Sequence, residues 1–244
     1  MKEWLYGRNP IYEALRAGRR HAYGLKVAKG AQEKGRLAEI ISRCRRNKIP
    51  ISYTSRQELD QIDRNHQGVA LQVGDYPYAD LSDMLVLAGE RSEPPFLLLL
   101  DTLQDPQNLG TLLRTAEAVG VHGVLIPFAH TATITPAVVS SSSGASEHLL
   151  VAQTNLAQTI SLLKEQDIWV IGLDGGEEAQ PPERINLKGG LALVVGSEGD
   201  GMRRLVRERC DLLMRLPMRG QVESLNAAVA GSVALYLALA ARTD

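Results

Sequence analysis

Phe96-Leu-Leu-Leu-Leu100 is a continuous apolar run with no polar residue to turn toward water. A strand of that kind is covered on both faces, as in parallel sheets flanked by helices. Shortly after it, Asp105-Pro106 supplies a cap and a first-turn proline, starting a helix expected to end at Gly120. The alternation then repeats. Residues 124–126, 149–152, 168–173, 191–195 and 212–216 read as further strands, with helices from Thr135 onward and at 155–166, 201–209 and 223–241. The expected fold class is α/β, an open, mostly parallel sheet with helices on both sides. Ligands of such sheets bind beyond the carboxyl ends of the strands. The loops at 101–108, at Gly196 and at 217–223 fall there.

Residues 1–75 read as a separate small α/β domain. Asn9-Pro10 signals a helix ending near Gly18. Leu37, Ile40, Ile41 and Cys44 sit at helical spacing in 36–48, and Arg36, Arg43, Arg45 and Arg46 fill the rest of that surface. Ser55-Arg-Gln-Glu58 is a capping box. Apolar runs at 24–28, 49–53 and 69–73 look like strands. Residues 76–95, with Pro77, several acids and Pro94-Pro95, read as a linker with a helical turn at 81–87. A larger domain follows over 96–244.

Charge divides along the same line. The net charge is −1, yet residues 1–75 hold 15 Lys and Arg against 8 Asp and Glu, and residues 76–244 hold 12 against 20. A basic module of +7 beside a body of −8 suggests a polyanionic partner for the first domain. The two cysteines, Cys44 and Cys210, form no framework, and the start of the chain lacks a secretory apolar stretch, so a cytoplasmic location is expected. The alanine-rich run after Asn226 is short for a membrane span and is interrupted by Ser232, so no membrane crossing is expected. Val229, Val233, Tyr236, Leu237 and Ala240 make that helix apolar almost all round, so it must be buried all round. A homodimer through it is the expected cover, with the first domain folding back over the helix as the single-chain alternative. The five histidines do not cluster, and no metal is expected.

Three segments carry the chemistry. Ser224-Leu-Asn226 places polar groups at the mouth of an apolar helix, where burial without partners would cost roughly 1–3 kcal/mol per group. Gly196-Ser-Glu-Gly-Asp-Gly201 is a glycine-rich turn after a strand, but Glu198 and Asp200 would repel a phosphate. No Gly-Lys-Ser/Thr and no dinucleotide fingerprint occurs, which weakens nucleotide-binding readings. The third segment, Asn108-Leu-Gly-Thr-Leu-Leu-Arg-Thr-Ala-Glu117, opens a helix. Its Arg114 and Glu117 stand i, i+3 apart and on their own suggest only a surface pair.

Together, in this order, Asp105–Glu117, Val194–Met202 and Leu216–Val229 resemble the three signature motifs of the SpoU (TrmH-type) RNA ribose 2′-O-methyltransferases. Tyr6-Gly-Arg-Asn-Pro-Ile-Tyr-Glu-Ala-Leu15 is similar to the start of the substrate-binding domain in the subgroup acting on large-subunit ribosomal RNA. Departures are Ala227 and Ala228 after Ser-Leu-Asn, Leu216 for a frequent Ile and Gln107 for a frequent Gly or His. The resemblance implies a C-terminal trefoil knot of the SPOUT type, S-adenosylmethionine as cofactor, a homodimer, and RNA, above all ribosomal RNA, as partner. By position it implies Gly196, Leu216 and Leu225, with Met218 and Gly201 beside them, as cofactor-binding residues. It assigns Arg114 to the reacting hydroxyl, with Asn108, Glu117, Glu198, Ser224 and Asn226 completing the catalytic set. The expected reaction is methylation of a ribose 2′-hydroxyl, with a guanosine of large-subunit ribosomal RNA as the leading target. A transfer-RNA ribose methylase and a catalytically silent RNA-binding assembly factor are the rivals.

Overall fold

The computed structural model describes residues 2–222 and 224–243. In chain order the elements are β1 (Glu3–Tyr6), α1 (Arg8–Ala17), β2 (Ala22–Ala28), α2 (Arg36–Arg46), β3 (Ile51–Thr54), α3 (Arg56–Asp60), β4 (Val69–Val73) and α4 (Leu81–Glu90). They continue with β5 (Phe96–Leu100), α5 (Pro106–Ala118), β6 (Gly123–Pro127), α6 (Pro136–Ser141), β7 (Val151–Thr154), α7 (Leu156–Lys164) and β8 (Trp169–Leu173). Last come β9 (Leu191–Val195), α8 (Arg204–Arg209), β10 (Leu212–Met214) and α9 (Ala227–Thr243).

The chain forms two compact units, 1–77 with 133–148, and 78–132 with 149–244. The first holds a four-stranded sheet in the order β1-β4-β2-β3, with β4 antiparallel to both neighbours and β2 parallel to β3. Its core is the one the helical spacing marks out: Leu37, Ile40, Ile41 and Cys44 of α2 are all buried, as are Ile11, Ala14 and Leu15 of α1. Burial pushes the Cys44 thiol up to about 11, so it packs as an inert small apolar group. Three sequence expectations change here. The strand β1 was not anticipated, because Glu-Trp-Leu-Tyr offers only one fully buried position, Leu5. The cap of α1 is Gly7, at φ 84°, and Asn9 lies inside the helix. Residues 133–148, expected in the larger domain, belong to this unit.

Burial explains that last change. Val138 and Val139 of α6 are buried, and Glu147 makes a 2.9 Å ion pair with Arg20 in which both side chains are 1% exposed. Arg20 also reaches Glu3 at 3.3 Å, and the Tyr76 hydroxyl donates to the Ser146 carbonyl at 2.9 Å. Burial raises the Glu147 carboxyl above its ordinary value against the opposing pull of Arg20.

The second unit is a six-stranded sheet in the order β10-β8-β9-β5-β6-β7, every pairing parallel. All five residues of β5, β6 and β9 are buried, as continuous apolar runs require. The stretch expected as a linker supplies α4, whose Met84 and Ala88 are buried, because its apolar positions repeat at helical spacing. The Asp80–Asp83 capping box starts it. From β5 the strands run outward to β6 and β7, and the chain then crosses to place β9 on the other flank of β5. The order reverses between β5 and β9, where the Asp101 N–H donates to the Val195 carbonyl at 2.8 Å. A crevice of this kind is the usual ligand position.

The terminal helix starts at Ala227, so Ser224, Leu225 and Asn226 precede it outside any helix or strand; Glu223, expected as its first residue, lies outside the described residues. Helix α8 likewise starts at Arg204, because the glycine-rich turn occupies the residues before it. One face of α9, with Ala228, Gly231, Ala234, Leu235 and Ala238, is buried. The opposite face leaves Val229 47%, Val233 42% and Tyr236 54% exposed in the single chain. Among the described residues no helix is long and apolar enough to cross a membrane.

Candidate active site

The loops after β5, β9 and β10 meet above the reversal point. Asp105 accepts from the N–H groups of Gln107 at 3.2 Å and Asn108 at 3.1 Å, capping α5. That cap sets Asn108 on the first turn, where its amide donates to Glu198 Oε1 at 3.1 Å. Asn226 donates to Asn108 Oδ1 at 3.0 Å and also to Glu198. Its own Oδ1 accepts from the N–H groups of Ala228 at 3.0 Å and Val229 at 3.1 Å, so the same side chain caps α9. Residues 108, 198 and 226, one from each motif, thus form a single hydrogen-bonded cluster. Asn226, at the mouth of the terminal helix, is hydrogen-bonded through both its nitrogen and its oxygen, although it is exposed and not buried as the sequence suggested.

Below this cluster lies a cavity of about 1330 Å³. Gly196, Gly201, Leu216, Met218 and Leu225, the five expected cofactor-binding residues, all line it, as do Ser224 and Glu198. Gly196 cannot carry a side chain: a Cβ there would stand 2.2 Å from the Gly201 carbonyl carbon and 2.4 Å from the Met202 nitrogen. The walls combine Leu173, Val195 and Ala227 with the carboxylates of Asp174 and Asp200. Burial alone would raise the Asp174 carboxyl, but hydrogen bonds from Arg207 at 2.8 Å and from the Gly176 N–H at 2.7 Å hold it below its ordinary value. Arg114 and Glu117 are placed differently. Both are exposed on α5, and neither lines this cavity.

Sequence reasoning missed two residues here. Asp101, fully buried at the end of β5, accepts from the Arg203 backbone N–H at 2.7 Å and from the Arg203 side chain at 2.8 Å through Nε and 2.7 Å through Nη2. The available signal was a carboxylate placed directly after an unbroken apolar strand, where only a committed partner permits burial.

Comparison with known proteins adds family evidence. A model of the SpoU rRNA Methylase family matches residues 95–236, and a model described as RNA 2′-O ribose methyltransferase substrate binding matches residues 4–79. YacO of Bacillus subtilis (strain 168), named for the TrmH family of tRNA/rRNA methyltransferases, is 45% identical over 238 residues, covering 96% of this chain and 94% of its own. A tRNA/rRNA methyltransferase-named protein of Mycobacterium avium (strain 104) is 43% identical over 236 residues, covering 96% of this chain and 75% of its own. Among solved structures, the SpoU methyltransferase AviRb from Streptomyces viridochromogenes, in complex with AdoMet, superposes with a TM-score of 0.81 at 23% identity, over 98% of this chain and 89% of that one.

Proposed function

We propose that this chain, which belongs to the SpoU rRNA methylase family and is an S-adenosylmethionine-dependent RNA 2′-O-ribose methyltransferase, acts on a guanosine of large-subunit ribosomal RNA. The observation that carries the reading is the joining of Asn108, Glu198 and Asn226 over a cavity lined by Gly196, Leu216 and Leu225. The cavity suits the cofactor. Its apolar walls match an adenosine, and the carboxylates of Asp174, Glu198 and Asp200 complement a cationic sulfonium. When bound, the cofactor supplies a methyl group to an attacking oxygen. The chain's own part is placement, and positioning can contribute about 7–11 kcal/mol. Asn108 and Asn226 hold Glu198 in one orientation, and Ser224 stands beside them.

Arg114 lies six residues along α5 from Asn108, a rise of about 9 Å, and its exposed place on that helix supports a role toward RNA. Always protonated, Arg114 acts as a phosphate clamp and stabilises the developing alkoxide instead of serving as a base. Glu117 is one turn further on and orients it. The C-terminal segment is taken to be knotted, supported by its return from the sheet edge at β10 to a helix packed on α5. The outward stripe of α9 supports a homodimer: contiguous apolar exposure of that kind marks an interaction face.

The test is methylation, by the purified full-length chain, of ribosomal and transfer RNA from a strain lacking the gene, followed by digestion and identification of the nucleoside. We expect 2′-O-methylguanosine from the large ribosomal RNA. Methylation of transfer RNA alone would move the target, and cofactor binding without transfer to either RNA would favour the silent assembly factor. Arg114→Ala is expected to lower transfer at least 100-fold with cofactor affinity unchanged in calorimetry, and equal loss of both would make the arginine structural.

A further inference from the structure

A second hollow, of about 420 Å³, lies across Glu198 from the cofactor cavity, with Asn108, Ser197, Glu198, Asp200 and Arg203 among its lining. We propose that it seats the base of the target nucleoside and that Arg203 reads the O6/N7 edge of a guanine there. The inference rests on the methyltransferase reading and deepens it.

Position supports this first. The two cavities share Ser197, Glu198, Asp200 and Gly201 as a wall. A methyl donor on one side and an acceptor nucleoside on the other would meet at the Asn108–Glu198–Asn226 cluster. Preorganisation supports it next. Asp101 is fully buried yet directs its carboxylate to one edge of the Arg203 guanidinium, whose side chain is 48% exposed. That holds the group in one plane and turns its opposite edge away from Asp101. A planar fork held this way matches the two acceptors of guanine, O6 and N7. Thr102 adds a separate sign. It lines the same hollow at φ 57°, a left-handed conformation that β-branched residues rarely adopt, and such strain clusters at ligand sites.

Charge decides between base and phosphate. Asp101 already balances Arg203, and Asp105, Glu198 and Asp200 also line the hollow. The excess of carboxylates repels a phosphate but accepts hydrogen bonds from a neutral base. Guanine alone combines O6 and N7 acceptors on one edge with N–H donors on another. Adenine would turn its amino group onto the guanidinium.

The experiment uses the full-length chain, S-adenosylmethionine and short transcripts carrying either guanosine or 7-deazaguanosine at the methylated nucleotide. Removing N7 should lower kcat/KM of the wild type about tenfold. Arg203→Met should start about tenfold or more below wild type and show no further loss on the 7-deaza transcript, because the contact is already gone. Arg203→Lys should recover part of the rate. Unchanged cofactor affinity in both variants certifies the fold. A 7-deaza effect that is absent from the wild type, or equal in wild type and Arg203→Met, overturns the proposal. Methylation of a nucleoside other than guanosine also overturns it while leaving the methyltransferase reading standing. Failure to methylate any RNA defeats the reading beneath it.

Discussion

Asn226 shows how one side chain carries two loads. Its amide nitrogen joins the cluster with Asn108 and Glu198, and its oxygen caps α9. Asn226→Ala removes both, and should cost about 1 kcal/mol of stability through the cap as well as transfer activity. Asn226→Asp separates the roles: the cap survives, but a second carboxylate then faces Glu198. Like charges raise the folded-state pKa of the pair, so its stability deficit should shrink as pH falls through that raised value. Thermal melts from pH 8 to pH 5 check this, and a pH-independent deficit would refute it. Gly196→Ala acts by volume alone. A methyl cannot coexist with the Gly201–Met202 backbone, so the loop must open, and calorimetry should show cofactor affinity lost along with roughly 1–3 kcal/mol of stability.

At the scale of elements, the packing of α9 on α5 sets the site. Thr115 and Ser232 hydroxyls meet at 2.8 Å across the two helices, and a Cβ on Gly231 would stand 2.5 Å from Leu112 Cδ2 and 3.1 Å from Val195 Cγ2. Gly231→Ala should therefore lower stability by about 1–3 kcal/mol, with a fall in Tm of several degrees. The loop after β8 is tied to α8 by Arg207, which reaches Asp174 at 2.8 Å and Glu178 at 3.0 Å. Asp174 is held below its ordinary 3.8, so its stabilising contribution is present above that value and is lost as pH falls through the lower folded pKa. Asp174→Asn should destabilise at pH 7, and its deficit should shrink as pH falls from 3.8 through the lower folded value. Melts of both proteins across that range decide the matter.

For the whole molecule, the division into units changes what a truncation means. Removing the first domain alone leaves 133–148 behind, with Glu147 and the valines of α6 stripped of cover. Breaking one partner of such a buried pair costs about 3–5 kcal/mol. A chain lacking only 1–77 should melt early or aggregate. Replacing 133–148 by a short loop as well should restore a cofactor-binding body with weak, nearly salt-independent RNA affinity, since the basic excess has gone. Filter binding across a salt series measures it; undiminished affinity would place the RNA grip in the second unit. For assembly, Tyr236→Asp on the exposed face of α9 should yield a monomer by sedimentation, whereas a monomeric wild type would end the homodimer proposal.

Local order was legible because local physics sets it. The unbroken apolar runs of β5 and β9, the Asp105-Pro106 cap and the amphipathic spacing of α2 each declare an element within a few residues. The three motifs also pointed to Asn108, Glu198 and Asn226 before any contact among them was visible. What tertiary structure decided were matters of distance between remote segments. Nothing in the sequence around Glu147 announces Arg20 as its partner, and Asp101 reads as a loop residue until Arg203 closes on it. The assignment of 133–148 to the first unit, and the exposed setting of Arg114 outside the larger cavity, depend on where the chain travels after each element ends. Hydrophobic periodicity reports which face of an element is buried; the element that buries it comes from elsewhere in the chain.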